Sequence, residues 1–305
     1  MATPGDSAEL LDVARLRLLR EIGLRGSIAG AARAVGITPS AVSQQLAALE
    51  RETATSLVDR SPRGVELTGA GHALAARAEQ VLDVLAAARA DLDRLAGSVA
   101  GPVRLAAVAS AAATFVSSAV CALRVDEPGL ALSVVATEPE QGIGLLLAGD
   151  VDIAIVDEYD YVPLAVPDAA TVRELAVEPL VLVLPAGARR RRPTLASLAD
   201  AEWVMPPAAA ACGRAVRAAC RTAGFEPRVR WQTDDMLLLV RAVADGHGVA
   251  VLPRRAVAAD SAPVAVRTLR EPVLRRRLLA VARASAAQRP AVATVLAALG
   301  AAVSS

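Results

Sequence analysis

The chain has 305 residues, 54% of them hydrophobic, which is enough for about two or three domains with separate cores and excludes a disordered protein. The chain has 33 basic residues, all of them Arg, and 32 acidic residues, which gives a formal net charge of +1. Any attraction to nucleic acid must therefore come from local charge. The three Cys, an odd number, argue against a secreted disulfide framework, and no signal peptide pattern opens the chain.

Residues 27–50 predict two short helices joined by a tight turn. The first helix has apolar residues at i, i+3, i+4 and i+7, Ser27 as its N-cap and Gly36 at its end. The second has Thr38 as its cap and Pro39 at its first position, where the missing N–H is harmless. Its apolar stripe consists of Val42, Leu46 and Leu49. Two helices across a turn that contains Gly indicate a helix-turn-helix.

The second helix carries a polar face that suits a DNA major groove. At about 100° per residue, Ser40, Ser43 and Gln44 fall opposite the apolar stripe. Gln can pair with adenine through two hydrogen bonds, and Ser can donate or accept at several base edges, so these three residues are predicted to read bases. The cap residues Ser27 and Thr38 are also predicted to contact DNA.

Residues 57–67 predict the wing of a winged helix, because two strand-like pieces flank a Ser-Pro-Arg-Gly turn. Arg60 and Arg63 would lie against phosphates or in a minor groove, although an Arg in a surface turn can simply be solvated. Between Arg15 and Leu67, eight Arg face five acidic residues, and this local surplus of three favours DNA binding.

From Leu74 to Leu95 the apolar residues recur at alternating gaps of four and three residues, which indicates an a/d heptad seam of about three heptads. A helix with one apolar edge needs a partner, either the chain's own domain or a second copy of the chain. Because this helix leaves a DNA-binding unit, the pattern favours a homodimer that reads an inverted repeat. The residues assigned to dimerisation are Leu74, Val81, Leu85, Leu92 and Leu95.

Beyond a hinge-like segment at 97–101, strand and helix patterns alternate to the end of the chain. Strands are predicted over 103–109, 130–137, 151–156, 180–184, 203–205, 229–232, 249–252 and 278–281. Helices are predicted over 114–124, 140–148, 214–222, 234–244 and 289–299. This order implies an α/β fold with a parallel sheet and helices on both faces. The uncharged stretch 105–123 approaches the roughly 20 residues of a membrane span, but Ala, Ser and Thr dominate it and no span is predicted.

This order of elements resembles the LysR-type transcriptional regulators over nearly the whole chain. The most specific part lies between Gly26 and Gly71 and includes the run Ser40-Ala41-Val42-Ser43-Gln44-Gln45-Leu46. The resemblance implies an N-terminal all-α winged helix-turn-helix over 1–68, a long linker helix and hinge over 69–100, and an effector-binding domain over 101–305. That domain would have two α/β lobes, like a periplasmic binding protein. Lobe one would cover 101–178 and 268–305, and lobe two 179–267.

The resemblance also implies a function. The chain would be a cytoplasmic, sequence-specific regulator of transcription whose DNA binding or promoter bending responds to a small-molecule effector. Its partners would be double-stranded DNA with an inverted-repeat operator, a second copy in a homodimer or homotetramer, and RNA polymerase, with no membrane. No catalytic residue, metal ligand or cofactor is predicted, since His72 and His247 have no Cys/His cluster or phosphate loop beside them. The alternative is an architectural, ligand-independent DNA-binding protein.

By the same resemblance, effector contacts carry over to loops after the strands. These contacts are Ser110, Thr137, Glu138, Met205, Thr233 and Asp234. Ser110 and Thr233 are equally explained as helix caps, while Glu138 and Asp234 would reject an anion or pair with a cation. Some peroxide-sensing family members use two cysteines, which makes Cys212 and Cys220 a redox hypothesis. On one helix these residues would be about 12 Å apart, too far for a disulfide.

Overall fold

The computed structural model describes residues 10–61, 64–95, 99–167, 170–188, 193–258, 262–271 and 273–304. The chain divides into two compact units, Met1–Leu92 and Asp93–Ser305. Each unit has an apolar core of its own.

The first unit is a three-helix domain with a two-stranded wing and a long final helix. Its elements are α1 (Val13–Arg25), α2 (Ile28–Val35), α3 (Pro39–Glu52), β1 (Val58–Ser61), β2 (Gly64–Leu67) and α4 (Gly69–Leu95). Asp12, Ser27 and Thr38 cap the first three helices with their side chains. Gly26 and Gly36 end α1 and α2 with φ of 59° and 74°, a left-handed conformation that favours Gly. The predicted helix-turn-helix and wing are confirmed.

The apolar stripes of α1, α2 and α3 meet in one core. Leu19, Ile22 and Leu49 have no exposed surface. Leu57 and Val58 at the start of the wing join the same cluster, so the wing is fixed to the helices by apolar contact. The wing strands pair antiparallel, with Asp59 opposite Glu66.

The second unit contains the remaining strands and helices in two lobes. Its strands are β3 (Gly101–Ala107), β4 (Leu130–Ala136), β5 (Ile153–Tyr159), β6 (Ala170–Pro185), β7 (Glu202–Met205), β8 (Arg228–Gln232), β9 (Ala250–Pro253), β10 (Val264–Thr268) and β11 (Arg275–Arg283). Its helices are α5 (Ala109–Ala111), α6 (Ser117–Asp126), α7 (Pro139–Leu147), α8 (Ala211–Thr222), α9 (Met236–Ala244), α10 (Arg254–Ala258), α11 (Ala284–Ala287) and α12 (Pro290–Ser304). A π-helical segment, Ala112–Val116, joins α5 to α6.

The sheets correct the expectation of a purely parallel arrangement. β3 runs parallel to β4 and β5, and β7 runs parallel to β8. However, β11 runs antiparallel to both β5 and β6, and β6 runs antiparallel to β9 and β10. The reason is that β6 carries the chain from one lobe to the other and β11 carries it back, so these two strands run in opposite directions.

The long strand β6 changes partners at the point where it passes between the lobes. It pairs with β11 from Ala170 to Pro179, and with β9 from Leu180. β10 and the first part of β6 are not predicted by the sequence patterns, because their exposed residues do not alternate cleanly. Residues 105–123, the uncharged stretch, are divided between β3, α5, the π segment and α6. None of the helices in the described ranges is long and apolar enough to cross a membrane.

Candidate functional site

The polar face of α3 is exposed, and its side chains are available for hydrogen bonds to a partner. Ser40 and Gln44 are exposed and Ser43 is half-buried, and none of the three makes a hydrogen bond within the described part of the chain. The neighbouring Gln45 is different, because its Oε1 accepts a hydrogen bond of 2.8 Å from Nε of Arg15. The face opposite the α3 core stripe can therefore offer Ser40, Ser43 and Gln44 to an external partner.

Two of the predicted DNA-contacting residues already have structural roles. The Ser27 hydroxyl accepts a hydrogen bond from the Gly30 amide at 3.1 Å, and the Thr38 hydroxyl accepts one from the Ala41 amide at 3.2 Å. Each therefore satisfies an amide at a helix N-terminus. Their contact with DNA stays a prediction.

The basic surplus of this unit is carried by a few unpaired Arg side chains. Arg20 and Arg25 pair with the buried Glu21, and so contribute little to an external field. Among the described residues, Arg33, Arg51 and Arg60 have no acidic partner. Arg60 lies exposed on β1, while Arg63 falls outside the described residues.

A carboxylate fixes the start of the wing to α3. Oε1 of Glu50 accepts a hydrogen bond of 2.9 Å from the Leu57 amide. The helix that carries the polar face and the strand that carries Arg60 are thus joined by a polar as well as an apolar contact, which presets the distance between them.

The helix α4 uses its predicted seam in two ways. Leu74 is half-buried and packs against the core of its own unit, and its role in dimerisation stays a prediction. Farther along, Val81, Leu85 and Leu92 are 38%, 49% and 62% exposed. The side chain of Leu95 lies outside the described residues. The exposed part of the seam, residues 81 to 92, is an apolar edge without a partner in the described part of its own unit.

A cavity that opens to solvent lies between the two lobes of the second unit. Lobe one contributes the C-terminal ends of β3 and β5 and the start of α7, and lobe two contributes the N-terminal ends of α8 and α9. The cavity-lining residues are Val108, Ala109, Ser110, Glu138, Asp157, Tyr159, Pro206, Ala210, Ala211, Cys212, Asp234, Met236 and Arg276. Ligands in open α/β sheets bind at this kind of edge.

Arg276 is the centre of a buried polar network in the cavity wall. It is 1% exposed, and its Nε donates to Oε1 of Glu178 at 2.5 Å. Its Nη1 donates to the Ser110 hydroxyl and to Oδ2 of Asp157, both at 2.9 Å. Its Nη2 is buried and has no hydrogen-bond partner in the described part of the chain. Because a buried charged donor without a partner is unfavourable, Nη2 is available to an acceptor that the chain does not supply.

The electrostatics of this wall follow from burial and close pairing. Burial raises the pKa of Asp157, while Nη1 of Arg276 and the Tyr159 hydroxyl, which donates to the same oxygen at 2.8 Å, oppose that rise. Burial, and then the Asp157 charge, raise the pKa of Tyr159 well above its usual value. Tyr159 is therefore a neutral hydrogen-bond donor at physiological pH, and Arg276 stays charged.

Three of the six predicted effector residues meet in the cavity, and three do not. Ser110, Glu138 and Asp234 line it. Thr137 directly follows β4, Met205 is buried in the lobe-two core, and the Thr233 hydroxyl accepts from the Asp235 amide at 3.2 Å. None of these three lines the cavity.

Sequence reasoning missed Arg276 and Asp157, although a signal for each was present. The predicted strand starts at 278, but the period of two extends back, so that Arg276 shares a face with the core residues Leu278 and Ala280. Asp157 directly follows four buried apolar residues of β5. Charged side chains at core-facing strand positions are rarely buried unless paired, so this pattern indicates a buried ion pair.

Two family models match the chain. Residues 13–72 match the bacterial regulatory helix-turn-helix protein, lysR family, and residues 96–304 match the LysR substrate binding domain. The chain belongs to the LysR family of bacterial transcriptional regulators. It is a DNA-binding regulator with an effector-binding domain, and the two-lobed fold implied by its sequence is confirmed.

The similar proteins cover most of the chain. The chain is 29% identical over 284 residues to a probable HTH-type transcriptional regulator, LrrA, of Synechococcus elongatus, covering 92% of this chain and 94% of LrrA. It is 27% identical over 256 residues to a probable hydrogen peroxide-inducible genes activator of Mycobacterium avium, covering 82% and 80%. A full-length OxyR cysteine variant from Pseudomonas aeruginosa has the same fold, with a TM-score of 0.71, 20% identity and 95% of each chain covered.

The cysteines of this LysR protein are poorly placed for peroxide sensing. Cys212 and Cys220 are both buried on α8, eight positions apart or about 12 Å along the axis, whereas a disulfide needs Cα atoms within about 7 Å. Burial raises the pKa of each thiol to about 12, helped by the charges of Asp157 and Glu226 respectively. Both thiols are therefore protonated at neutral pH and weakly nucleophilic.

We expect iodoacetamide to modify the exposed Cys121 in the native protein and to leave Cys212 and Cys220 intact until the chain is unfolded. We also expect peroxide treatment to leave operator affinity unchanged in the protein with Cys121→Ser. Mass spectrometry of the labelled thiols and a gel-shift titration measure the two effects. A peroxide-dependent change of affinity that Cys212→Ser removes would contradict this prediction.

Proposed function

We propose that this LysR protein reads an inverted-repeat operator with the exposed face of α3 and changes its DNA binding or promoter bending when a small effector occupies the cavity between its lobes. The observation that carries the operator reading is the free polar face of α3: Ser40, Ser43 and Gln44 have their hydrogen-bonding groups unused, while Gln45 next to them is engaged. Side chains of this kind on a second helix read base edges in the major groove.

We assign pairing of two chains to the exposed seam of α4. Val81, Leu85 and Leu92 repeat at heptad-compatible spacing and leave apolar surface in water, which a second copy of the helix would bury. A two-fold axis along this seam would present two copies of α3 to two half-sites. Assembly into a dimer of dimers and contact with RNA polymerase belong to the same proposal, as does a cytoplasmic location and a non-enzymatic role.

The cavity supports the effector part of the proposal. Its wall contains a buried charged network and an unused Arg276 donor, and residues of both lobes line it. A ligand that contacts both walls would stabilise one relative placement of the lobes. An architectural protein without a ligand has no use for such a site, so the effector-responsive function is favoured. The domain bounds 1–68, 69–100 and 101–305 are proposed with it.

Gln44→Ala is expected to relax base preference at one position in each half-site, by about 1–3 kcal/mol of discrimination, because it removes a two-pronged contact. Selection of duplexes from a random pool with the full-length protein, followed by titration of single-base variants, measures this. The wild type should enrich an inverted repeat, and failure to enrich any motif would overturn the proposed operator reading.

Two variants serve as controls for the Gln44 change. Gln45→Ala removes the same side-chain amide one position farther along α3. In the wild type that amide is bound to Arg15, so the substitution should preserve base preference. Arg60→Ala should weaken all sequences alike and lower the salt slope by about one unit, as loss of a phosphate contact does. Equal, sequence-independent losses for Gln44→Ala and Arg60→Ala would contradict base reading by Gln44.

A further inference from the structure

The polar groups of the cavity between the lobes fall into one set that suits a negative group and one that suits a positive group. We propose that the effector is a small zwitterion of the α-amino acid class with an apolar side chain, held by Arg276 and the start of α8 at its carboxylate and by Glu138, Asp157 and Asp234 at its ammonium group. This inference rests on the proposed effector role of the cavity.

Unused hydrogen-bond donors in the cavity wall indicate where the carboxylate of the ligand would bind. Nη2 of Arg276 is buried without a partner in the described part of the chain, and a guanidinium with a free N–H binds a carboxylate oxygen well. The start of α8 also lines the cavity at Ala211 and Cys212, and its N-cap residue Ala210 supplies no side-chain hydrogen bond to the first turn. The amides of this twelve-residue helix are thus available to an anion.

The ammonium end is indicated by an excess of negative charge. Three carboxylates line the cavity, those of Glu138, Asp157 and Asp234, against the single guanidinium of Arg276, which already pairs with Asp157 and Glu178. Partial burial raises the pKa of Glu138, and the charges of Asp157, Glu140 and Asp234 raise it further while Arg214 lowers it. A ligand cation would relieve this repulsion, whereas a ligand with only negative charge would increase it.

The spacing of the charges suits a molecule whose two charged groups share one carbon atom. Nη1 of Arg276 lies 2.9 Å from Oδ2 of Asp157, so a guanidinium and a carboxylate of the wall are in direct contact. A ligand beside that pair meets a positive and a negative group within a few ångströms, and an α-amino acid presents the complementary pair at similar separation. A plain amine would leave Nη2 without an acceptor, and a plain carboxylate would leave the acidic set without a cation.

The rest of the wall is apolar. Val108, Pro206 and Met236 line the cavity between the two charged sets. No further polar side chain is offered to the body of the ligand among the described lining residues beyond Ser110, Tyr159 and Cys212, and each of the first two is already hydrogen-bonded in the network. An aliphatic side chain therefore suits this cavity better than a charged one.

The test uses full-length protein and matched triplets of compounds. Each triplet has an amino acid, the amine that lacks its carboxylate and the acid that lacks its ammonium: L-valine with isobutylamine and isovalerate, and L-leucine with isoamylamine and isocaproate. The remaining standard L-amino acids complete the panel. Calorimetric titration and melting followed by Trp fluorescence report on binding. We expect at least one aliphatic amino acid to bind at least about tenfold more tightly than both of its analogues.

Two variants sharpen the result. Glu138→Gln should weaken amino acid binding about tenfold or more and should reduce the preference over the matched acid, because it removes negative charge beside the ammonium group. Glu226→Gln removes a carboxylate from an exposed ion pair with Arg221 outside the cavity and should leave binding unchanged. A merely structural effect of Glu138→Gln would reduce the affinity for amino acid and acid alike.

Each other outcome overturns the inference. If the acid binds as tightly as the amino acid, then Glu138, Asp157 and Asp234 do not bind an ammonium group. If the amine binds as tightly as the amino acid, then Arg276 does not bind a carboxylate. If no panel member binds while the protein still enriches an inverted repeat, the ligand class is wrong and the regulator function stands. If no repeat is enriched, it is the proposed operator reading that fails.

Discussion

Arg276→Met is expected to lower the free energy of unfolding of the effector-binding domain by about 3–5 kcal/mol. Asp157 and Glu178 are 5% and 6% exposed, and each accepts a hydrogen bond from this guanidinium, whose charge balances theirs. Removing it leaves two buried carboxylates without their cation. The free-energy cost of these unpaired buried charges is larger than the net stabilisation that the intact ion pairs provide. Urea denaturation followed by Trp fluorescence measures the change, and both Trp residues of the chain, Trp203 and Trp231, belong to this domain.

The matched control is Arg277→Met. Arg277 is the next residue of β11, but its side chain is 51% exposed, as is that of Glu174, one of its two ion-pair partners, so the cost should stay below about 1 kcal/mol. Neutralising both partners, with Asp157→Asn and Glu178→Gln added to Arg276→Met, should recover much of the loss. Equal destabilisation by the two single Arg variants would refute the buried network as the cause.

The loss caused by Arg276→Met should depend on pH. Without the guanidinium, the pKa of Asp157 in the folded state rises further above the value in the unfolded chain, because burial is no longer opposed. The folded variant then binds protons more strongly than the unfolded one, so its stability falls as pH rises from the unfolded carboxyl pKa of about 4 through the raised folded pKa. The difference from wild type should therefore be smaller at acidic than at neutral pH.

Gly71→Ala is expected to weaken binding to every operator sequence and to destabilise the DNA-binding unit by about 1–3 kcal/mol or more. A Cβ at Gly71 would lie 2.0 Å from the backbone oxygen of Leu57 and 3.2 Å from Cβ of Leu67. The same oxygen accepts a hydrogen bond from the Thr68 amide at 3.1 Å. A backbone oxygen cannot rotate away as a side chain can, so the first turn of α4 must separate from the wing, which carries Arg60.

Gly69→Ala is the control for this change. Gly69 lies in the same first turn of α4, but a Cβ there has no atom within 4 Å, so the change should be neutral or slightly stabilising because Ala favours a helix. Hydrogen exchange across residues 13–67 and gel-shift titration with the selected operator compare the two variants. Similar affinity and similar exchange in both would contradict a close approach at Gly71.

The local signals in the sequence were sufficient for the DNA-binding unit. Caps at Ser27 and Thr38, glycines at 26 and 36 and an apolar stripe on each helix act within a few residues of one another, and the structure has all of them. Along the heptad seam, Leu74 packs against the core of its own unit, whereas Val81, Leu85 and Leu92 are exposed. A heptad pattern states that a helix has one apolar edge, but it does not state which surface covers each part of that edge.

In the effector-binding domain, local sequence patterns predicted the type of most elements but not the direction of every strand. The alternation of strands and helices predicted an α/β fold, and the family resemblance added two lobes. However, the expectation that all strands run parallel was wrong for β6 and β11. Strand direction depends on where the chain crosses between lobes, and no short-range pattern records this. The same holds for the predicted effector loops: sequence placed Ser110, Glu138 and Asp234 near a site, but Thr137, Met205 and Thr233 project elsewhere.

By itself, the sequence determined most of the helices and strands, the helix-turn-helix, its exposed polar face and the family, because these follow from local periodicity, caps and short motifs. Only the tertiary structure decided the cavity, since it is formed by residues far apart in the chain. Ser110 and Arg276 are separated by 166 positions and meet at 2.9 Å because β3, which precedes Ser110, and β11 both pair with β5. The unused Nη2 of Arg276 is therefore a property of the fold, and the proposed ligand chemistry depends on it.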